Sequence, residues 1–422
     1  MLTLVAILAW PALGAPRLHP RPVSRLPERQ VRAAAQRRPP ELAVRQLRGV
    51  SRGEIAESAL FDHYLAQARP EAVAAASLEA VRGELAAWTG GHGAEPGRDR
   101  ISAKNRVHLF RSGAFKRWVA AERAAGRRVF WLRDLDKTQA AGDISSHFFR
   151  WKAERGHFTA AQNRIMRRYL ARIKTDDPAL ARRLRRAPRQ SPAENARLVL
   201  DLWRHGEKGG KGIKGLDFFT KAFWPTQHGF TRQEKREQAE AFAAYFSRFI
   251  YPHVRQENLA LARAGVDVVI VSAADQEIIS AVAPLLGLKP SNVVGSYLIY
   301  GEDGRAKGEQ HAYDVSDRKW LERPNPGKAL SFHYWLNKNK RRWGWKELDP
   351  DKIVIAGADG DSASSDGGLW VYFPRKALGN FMVDTPHEPG RLEKSIKLVT
   401  KYGWDRHFVL EHEPGSPTGW SD

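Results

Sequence analysis

Residues 128–138 read RVFWLRDLDKT, and this stretch decides the fold. Its first half is short and mostly apolar, which is typical of a parallel strand buried on both faces of a sheet. Three polar residues, Asp134, Asp136 and Thr138, follow directly after it. In open parallel sheets, ligands bind beyond the carboxyl ends of the strands. The stretch therefore predicts an α/β fold whose first strand leads into a ligand-binding site.

Similar apolar segments recur further along the chain. Residues 266–271, 293–299 and 352–356 are rich in Val and Ile, and they alternate with helical patterns as in a series of βαβ units. We expect a Rossmann-like, three-layer α/β/α core with a mostly parallel sheet, built from residues 127–143 and 257–400.

Residues 144–256 interrupt this alternation. They carry helical patterns rich in aromatic residues and arginines, without a convincing strand, and predict a helical cap inserted after the first strand. A long helix over residues 232–264, ended by Gly265, is expected to lead back into the core. Such a cap would cover the carboxyl edge of the sheet, exclude water and contribute to specificity.

The two ends of the chain differ from the core in composition. Residues 1–15 are apolar and end in small residues, which predicts an export signal; the alternative is an apolar tail of a cytoplasmic protein. The run is too short to span a bilayer as a helix. Residues 16–52, rich in Arg and Pro, predict a linker. Residues 53–126 predict a helical N-terminal region, and residues 401–422 a C-terminal tail.

Basic residues outnumber acidic ones, with 69 Lys and Arg against 47 Asp and Glu and a net charge of +22. This charge favours anionic substrates or partners and does not define the fold. The chain contains no cysteine, which excludes disulfides, thiolate metal sites and cysteine nucleophiles. Any metal ligands must therefore be oxygen or imidazole groups.

Polar side chains also follow two later strands. Ser272 comes directly after the segment 266–271, and a group of acids follows the segment 352–356. The carboxylates expected to meet at one edge of the sheet are Asp134, Asp136, Asp359, Asp361 and Asp366. Clustered carboxylates need a cation, and a site of oxygen ligands suits Mg²⁺. Lys328, near the start of a predicted helix, would add a fixed positive charge.

These segments resemble, in the same order, the four motifs of the haloacid dehalogenase (HAD) superfamily of phosphohydrolases. The motifs are Asp-x-Asp-x-Thr, an apolar strand ending in Ser or Thr, a lysine at a helix start, and Gly-Asp followed by a further Asp. The residues that carry the resemblance are Asp134, Asp136 and Thr138, then Ser272, then Lys328, then Asp361 and Asp366. The position of the insert is similar to that in the branch of phosphoserine and phosphorylcholine phosphatases. The resemblance covers residues 128–376.

The resemblance implies hydrolysis of a small phosphate monoester through a phospho-aspartate intermediate, with Mg²⁺ as the cofactor. Asp134 would be the nucleophile, and Asp136 the general acid and base. The phosphate would be held by Thr138, Ser272 and Lys328. The metal would be held by Asp134, Asp361, Asp366 and the backbone carbonyl of Asp136, with Asp359 as a less certain helper.

Some features leave the substrate open. Asp143 corresponds roughly to an acid that binds the substrate amine in phosphoserine phosphatase, which makes a phosphoserine-like or phosphorylcholine-like ester a candidate. Arg133 and Lys137 depart from the family pattern and put positive charge beside the site. They would either tune substrate choice or mark a degenerate site.

The alternative is a basic protein that binds nucleic acid or another polyanion on a catalytically degenerate fold of this family. A stripe of arginines in residues 164–189 would serve that purpose, or would simply be a solvated helical face.

Overall fold

The computed structural model describes residues 75–89, 97–311, 327–371, 377–384, 390–401 and 407–412. The predictions for residues 1–74, an export signal, a linker and the first helices, lie outside these ranges. Packing divides the chain into residues 1–63 and residues 64–422, and every described residue belongs to the second unit. None of the helices in the described ranges is both long and apolar enough to cross a membrane.

The described residues form an eight-stranded sheet. Its strands are β1 (Arg100–Ser102), β2 (Arg128–Arg133), β3 (Asp267–Asp275), β4 (Val293–Tyr300), β5 (Ala306–His311), β6 (Ile353–Gly360), β7 (Gly379–Val383) and β8 (His407–Glu411). Their order is β1-β8-β7-β6-β2-β3-β4-β5. Neighbouring strands are parallel, except that β5 runs antiparallel to β4. The predicted α/β class with a mostly parallel sheet is therefore confirmed.

Helices occur between the strands and in the insert. They are α1 (Ala75–Thr89), α2 (Ala103–Arg111), α3 (Gly113–Ala124), α4 (Ile144–Glu154), α5 (Ala160–Leu170), α6 (Pro178–Arg186), α7 (Pro192–Glu207), α8 (Gly215–Phe218), α9 (Arg232–Phe246), α10 (Pro252–Ala264), α11 (Gln276–Val282), α12 (Gly327–Asn339), α13 (Ala363–Val371) and α14 (Arg391–Lys401). Helices α4 to α9 lie in the predicted insert, between β2 and β3.

The position of β2 explains why its carboxyl end becomes a site. Val129, Phe130, Trp131 and Leu132 are completely buried, as expected for a strand covered on both faces. The strand lies between β3 and β6. Residues that follow β2 therefore emerge near the middle of the sheet edge, where two neighbouring strands can contribute side chains.

The long helix predicted over residues 232–264 is wrong. Two helices, α9 and α10, take its place, separated by a 3₁₀ turn at Ser247–Phe249. Pro252 begins α10, and Tyr251 before it is extended, with φ −64° and ψ 132°. Proline disfavours a helical conformation in the residue before it and lacks the N–H needed within a helix. The apolar periodicity continues across this break, which is why the sequence pattern did not show it.

The sheet extends beyond the predicted core at both ends of the chain. β8 falls within residues 401–422, which were expected to be a tail, and it pairs with β7 and with β1. β1 falls within the predicted helical region 53–126. Val409 and Leu410 in β8 are fully buried. A strand of this length carries too little periodicity to be recognised before its neighbours are known.

Candidate active site

Hydrogen bonds fix the chain where it leaves β2. The N–H of Asp134 donates to the carbonyl oxygen of Asp359 at 3.1 Å. The side-chain amide of Gln139 donates to the carbonyl oxygen of Asp134 at 2.8 Å. The backbone of Lys137 lies in the left-handed region, with φ 61°, a conformation uncommon for residues other than glycine. The backbone of Asp134 is thus held from both sides.

Three buried carboxylates meet beyond this edge and form the aspartate cluster: Asp134, Asp361 and Asp366. One carboxylate oxygen of each lies within 4.8 Å of the other two. Asp361 directly follows β6, and Asp366 lies in the first turn of α13. A Cβ atom on Gly360 would lie 2.5 Å from the Cβ of Asp366. The close packing of the cluster therefore requires glycine at position 360.

Lys328 lies between two of these carboxylates. Its Nζ donates to Oδ1 of Asp134 and to Oδ1 of Asp366, each at 2.5 Å. The hydroxyl of Thr138 donates to the other oxygen of Asp134 at 3.2 Å. Both oxygens of Asp134 are therefore oriented by donors that the sequence motifs predicted to lie in the site.

Crowding changes the acidity of the carboxylates. Burial raises the pKa of Asp134 to about 8; the charges of Asp366 and Asp361 act in the same direction, and Lys328 opposes them. Burial also raises the pKa of Asp361 to about 6, against the attraction of Arg391. A cation placed among these groups would favour their ionised forms.

Asp366 differs from its two neighbours because its pKa is lowered. Burial opposes ionisation, but the ammonium group of Lys328 and hydrogen bonds to the carboxylate outweigh it. The N–H groups of Asp361 and Ser362 donate to its Oδ2 at 2.8 and 3.0 Å. Asp366 is therefore the most firmly ionised member of the cluster.

A residue that the sequence analysis did not identify also reaches the cluster. Arg391 begins α14, and its Nε lies 2.5 Å from Oδ2 of Asp361. It lies outside the four motifs, and nothing local distinguishes it from the many other arginines of the chain. The packing of α14 against α13 and β7 brings it here. Lys137 also acts on the cluster, because its charge opposes the rise in the pKa of Asp361.

Asp136 and Asp143 lie together at the start of the insert. Oδ1 of Asp136 accepts a hydrogen bond from the N–H of Ile144 at 2.8 Å. Asp143 caps α4 by accepting from the N–H of Ser146 at 2.8 Å. Burial, followed by the charges of Asp143 and Asp134, raises the pKa of Asp136 well above its ordinary value. This environment favours the protonated form of Asp136, as a general acid requires.

Ser272 lies within β3 and not after it, since the strand continues to Asp275. β3 pairs with β2, and Ile270 lies opposite Arg133, so Ser272 is on the neighbouring strand, at the level of the residues just after β2. Its side chain is buried, and its oxygen accepts a hydrogen bond from the N–H of Ala274 at 3.1 Å. A hydroxyl that accepts in this way can still donate its proton to a ligand.

Asp359 and Arg133 do not join the aspartate cluster, and the expectations for both are corrected. They belong to a fully buried group, the arginine–carboxylate network: Arg106, Arg133, Glu257 and Asp359. Arg106 pairs with Glu257 at 2.5 Å and with Asp359 at 2.9 Å. Arg133 pairs with the same two carboxylates at 2.6 and 2.8 Å. Asp359 is thus paired with two arginines, and the charge of Arg133 is balanced by two buried carboxylates.

The aspartate cluster fits the metal that the motifs imply. Its three carboxylates offer oxygen atoms within 4.8 Å of one another, and hard oxygen ligands are the ones that Mg²⁺ prefers. The raised pKa values of Asp134 and Asp361 reflect burial and mutual repulsion, which a divalent cation would relieve. Asp134, Asp361 and Asp366 are therefore the residues that would hold it.

No protein-family model matches the chain. A search of curated proteins likewise found no match.

Several solved structures are similar to the chain in part. A conserved protein of unknown function from Anaerococcus prevotii is 13% identical, covering 67% of this chain and 85% of its own, with a TM-score of 0.44. A phosphoserine phosphohydrolase-like protein from Francisella tularensis is 12% identical, covering 67% of this chain and 94% of its own, with a TM-score of 0.31. A HAD family hydrolase from Salmonella enterica serovar Typhi is 10% identical, covering 68% of this chain and 76% of its own, with a TM-score of 0.31. At these sequence identities and TM-scores, the similarity does not define an activity for this chain.

Proposed function

We propose that this chain, which has the motifs of the haloacid dehalogenase superfamily on a mostly parallel α/β sheet, is a Mg²⁺-dependent phosphatase. It would hydrolyse a small phosphate monoester through a phospho-aspartate on Asp134. One observation carries the proposal: both oxygens of Asp134 are oriented by donors, and two further carboxylates lie beside them. A carboxylate fixed in this way suits covalent catalysis at phosphorus.

In the first half-reaction, an oxygen of Asp134 attacks the phosphorus in line with the leaving oxygen. The bond between phosphorus and the leaving oxygen breaks as the bond to Asp134 forms. Asp136, whose raised pKa favours its protonated form, donates its proton to the leaving oxygen. An alcohol then departs, and Asp134 carries the phosphoryl group.

In the second half-reaction, water attacks the same phosphorus from the side that the alcohol has left. Asp136, now ionised, accepts a proton from this water. The bond between phosphorus and Asp134 breaks, inorganic phosphate is released, and both aspartates return to their first state.

The phosphoryl oxygens need donors and positive charge in both steps. Nζ of Lys328 already lies 2.5 Å from Oδ1 of Asp134. Ser272 on β3 can donate its hydroxyl hydrogen to the phosphoryl group, and Thr138 in the turn after β2 can do so when it releases Asp134. When bound, Mg²⁺ offsets the repulsion between the phosphate and the carboxylates. Asp143, which caps the first helix of the cap, would attract an amine or quaternary ammonium on the leaving group.

The experiment compares hydrolysis of 4-nitrophenyl phosphate with and without Mg²⁺, in the wild type and in Asp134→Asn. We expect Mg²⁺-dependent release in the wild type and a loss on the order of 10⁴-fold or more in the variant. Asp349→Asn is the matched control, since the side chain of Asp349 is 41% exposed and pairs with Lys352 and the N–H of Asp351, close to it in the sequence. Equal activity of wild type and Asp134→Asn would disprove the assignment.

The exposed arginines of the cap favour a second candidate, binding of a polyanion. Eight basic residues of α5, α6 and the loops after them are exposed: Arg164, Arg168, Arg172, Lys174, Arg182, Arg185, Arg186 and Arg189. A surface of this kind binds the phosphates of nucleic acids with strong salt dependence. The test is a fluorescence titration of a DNA or RNA duplex at two salt concentrations. Absence of binding by micromolar protein at near-physiological salt would remove this candidate.

A further inference from the structure

Four polar groups form a closed ring around the peptide bond between Arg133 and Asp134. We call it the hydrogen-bond ring; besides these two residues it contains the side-chain amides of Gln139 and Asn258. Both amide side chains are fully buried. Gln139 lies in the turn after β2, and Asn258 lies on α10, beyond the insert in the sequence. Neither of them belongs to the motifs of the proposed active site.

The hydrogen bonds of the ring all run in one direction, from the guanidinium of Arg133 to the carbonyl group of Asp134. Nη1 of Arg133 donates to Oδ1 of Asn258 at 2.7 Å. Nδ2 of Asn258 donates to Oε1 of Gln139 at 3.3 Å. Nε2 of Gln139 donates to the carbonyl oxygen of Asp134 at 2.8 Å. Each amide therefore accepts from one neighbour and donates to the next.

The ring admits one orientation of each amide, because an arginine only donates hydrogen bonds and a carbonyl oxygen only accepts them. Turning over the amide of Asn258 would set its NH₂ group against the guanidinium. Turning over the amide of Gln139 would set its oxygen against the carbonyl oxygen of Asp134. Nδ2 of Asn258 also donates to the carbonyl oxygen of Leu286 at 2.9 Å. Since a buried amide without partners is costly, the ring specifies a single geometry.

Both ends of the ring are tied to rigid parts of the fold. Arg133 is a member of the balanced arginine–carboxylate network. The backbone of Gln139 is held as well, because its N–H donates to the carbonyl oxygen of Leu135 at 2.9 Å and its carbonyl oxygen accepts from the N–H of Tyr251 at 3.1 Å. The ring therefore links the network to the peptide group between Asp134 and Leu135.

The position of this peptide group matters for the proposed chemistry. Lys328 and Thr138 orient the carboxylate of Asp134, whereas the amide of Gln139 orients the backbone from which that side chain projects. The same backbone continues to Asp136, the proposed general acid and base. In-line attack tolerates little error, since a misplacement of about 1 Å can cost on the order of 100-fold in rate.

We propose that Gln139 and Asn258 are positioning residues of the phosphatase, which hold the backbone of Asp134 in place for attack on phosphorus. The proposal rests on the phosphatase function and assigns a task to Arg133, which holds Asn258. Gln139 acts directly on the carbonyl group of Asp134, and Asn258 acts through Gln139. Loss of either amide should therefore lower the rate of the chemical step and not the affinity for the ester.

The first test compares kcat and KM on 4-nitrophenyl phosphate in the wild type and in Gln139→Met, which keeps the length of the side chain and removes its hydrogen bonds. We expect kcat to fall about 10- to 100-fold. KM should change less than about twofold, because the groups proposed to bind the phosphate are untouched. A fall in kcat/KM that comes from KM alone would overturn the proposal.

Gln227→Met is the matched control. Gln227 is also fully buried, and it lies in the cap. Its amide has the same pattern of bonds, donating to the carbonyl oxygen of Phe223 at 3.1 Å and accepting from Nζ of Lys235 at 2.8 Å. We expect kcat to be unchanged in this variant. Equal falls of kcat in Gln139→Met and Gln227→Met would overturn the proposal.

The second test is a double-mutant cycle with Asn258→Leu. If Asn258 acts on Asp134 through Gln139, this substitution lowers kcat in the wild-type background and lowers it by less than about a further twofold in Gln139→Met. Independent losses of packing would instead multiply, and that result would overturn the proposed order of action. Asn258→Asp, which keeps the acceptor for Arg133 and removes the donor to Gln139, is the second variant should the leucine prevent folding.

Hydrogen exchange separates the ring from the phosphatase function. The backbone amides of residues 134–142, followed by mass spectrometry, should exchange about fivefold faster in Gln139→Met, as expected for the loss of one hydrogen bond. Their exchange in Gln227→Met should match the wild type. Unchanged exchange in Gln139→Met overturns the positioning role and leaves the phosphatase intact. Faster exchange in a protein that hydrolyses no ester supports the hold of the ring on Asp134 and overturns the phosphatase function.

Discussion

The arginine–carboxylate network and the aspartate cluster lie on opposite sides of one peptide bond, between Arg133 and Asp134, and they treat buried charge in opposite ways. The network pairs two arginines with two carboxylates, and each carboxylate contacts both arginines. The cluster crowds three carboxylates around a lysine and one half-buried arginine. The first arrangement is internally complete, whereas the second gains from a further cation.

The pKa values express this difference. Burial opposes the ionisation of Glu257, yet Arg106 and Arg133 outweigh it and hold its pKa at about 2. In the cluster, burial and neighbouring carboxylates raise the pKa of Asp134 to about 8. The groups proposed to meet metal and phosphate thus carry electrostatic strain, while the strand that leads to them is anchored by balanced ion pairs.

Breaking the network should have the largest effect on stability. Glu257→Gln removes the charge that joins Arg106 and Arg133 and leaves Asp359 as the one carboxylate of the network that pairs with them. Loss of one partner from a buried ion pair typically costs about 3–5 kcal/mol. We expect a decrease of that size in the free energy of unfolding, measured by urea denaturation.

The matched control is Glu411→Gln. Glu411 also pairs with an arginine, Arg100, at 2.7 Å, but both side chains are more than 40% exposed. Exposed pairs contribute about 0–1 kcal/mol. Equal decreases in the free energy of unfolding of both variants would show that the network does not anchor β2.

The network should also determine stability in acid. The pKa of Glu257 is about 2 in the folded protein and near 4.3 in the unfolded chain. Its contribution is therefore complete above about pH 4.3 and is lost as the pH falls towards 2. The loss is on the order of 3 kcal/mol, and urea denaturation at several pH values would measure it. The free energies of unfolding of the wild type and Glu257→Gln should converge as the pH falls through this range. A constant difference between them at all pH values would contradict the assignment.

The sequence predicted the aspartate cluster better than the network, and the reason is physical. Asp134, Asp361 and Lys328 are tied to strand ends or a helix start, and parallel strands bring such positions to one edge. Arg106 and Glu257 meet through helix packing between α2 and α10, which no local pattern specifies. Arg133 was therefore interpreted as a charge beside the site, although its partners lie elsewhere in the sequence.

The same limit applies to the fold. Long apolar strands such as β2 and β3 could be predicted because burial on both faces produces a continuous apolar run. β1 is three residues long and is a strand only because β8 lies beside it. The pairing of Arg391 with Asp361 depends on packing between distant elements, so no local pattern in the sequence indicates it.

Relieving the strain in the aspartate cluster should stabilise the protein moderately. Without Mg²⁺ and at pH 9, above the pKa of Asp134, the variant Asp134→Asn removes one of three crowded charges. We expect its free energy of unfolding to exceed that of the wild type by about 1–2 kcal/mol, as when an active-site constraint is removed. Saturating Mg²⁺ should reverse the order, since a ligand stabilises the state that binds it. A variant less stable in both conditions would show that the cluster is not strained.

The smallest effect should come from removing the hydroxyl of Thr138, which donates a hydrogen bond to Asp134. Thr138→Val keeps the shape of the side chain and removes the 3.2 Å hydrogen bond to Oδ2. A hydrogen bond of this kind contributes about 1 kcal/mol, so we expect kcat on 4-nitrophenyl phosphate to fall roughly five- to tenfold. Thr226→Val is the matched control, because Thr226 is equally buried but donates to the carbonyl oxygen of Phe223 in the cap. A similar loss of kcat in both variants would mean that the change acts through packing and not through the orientation of Asp134.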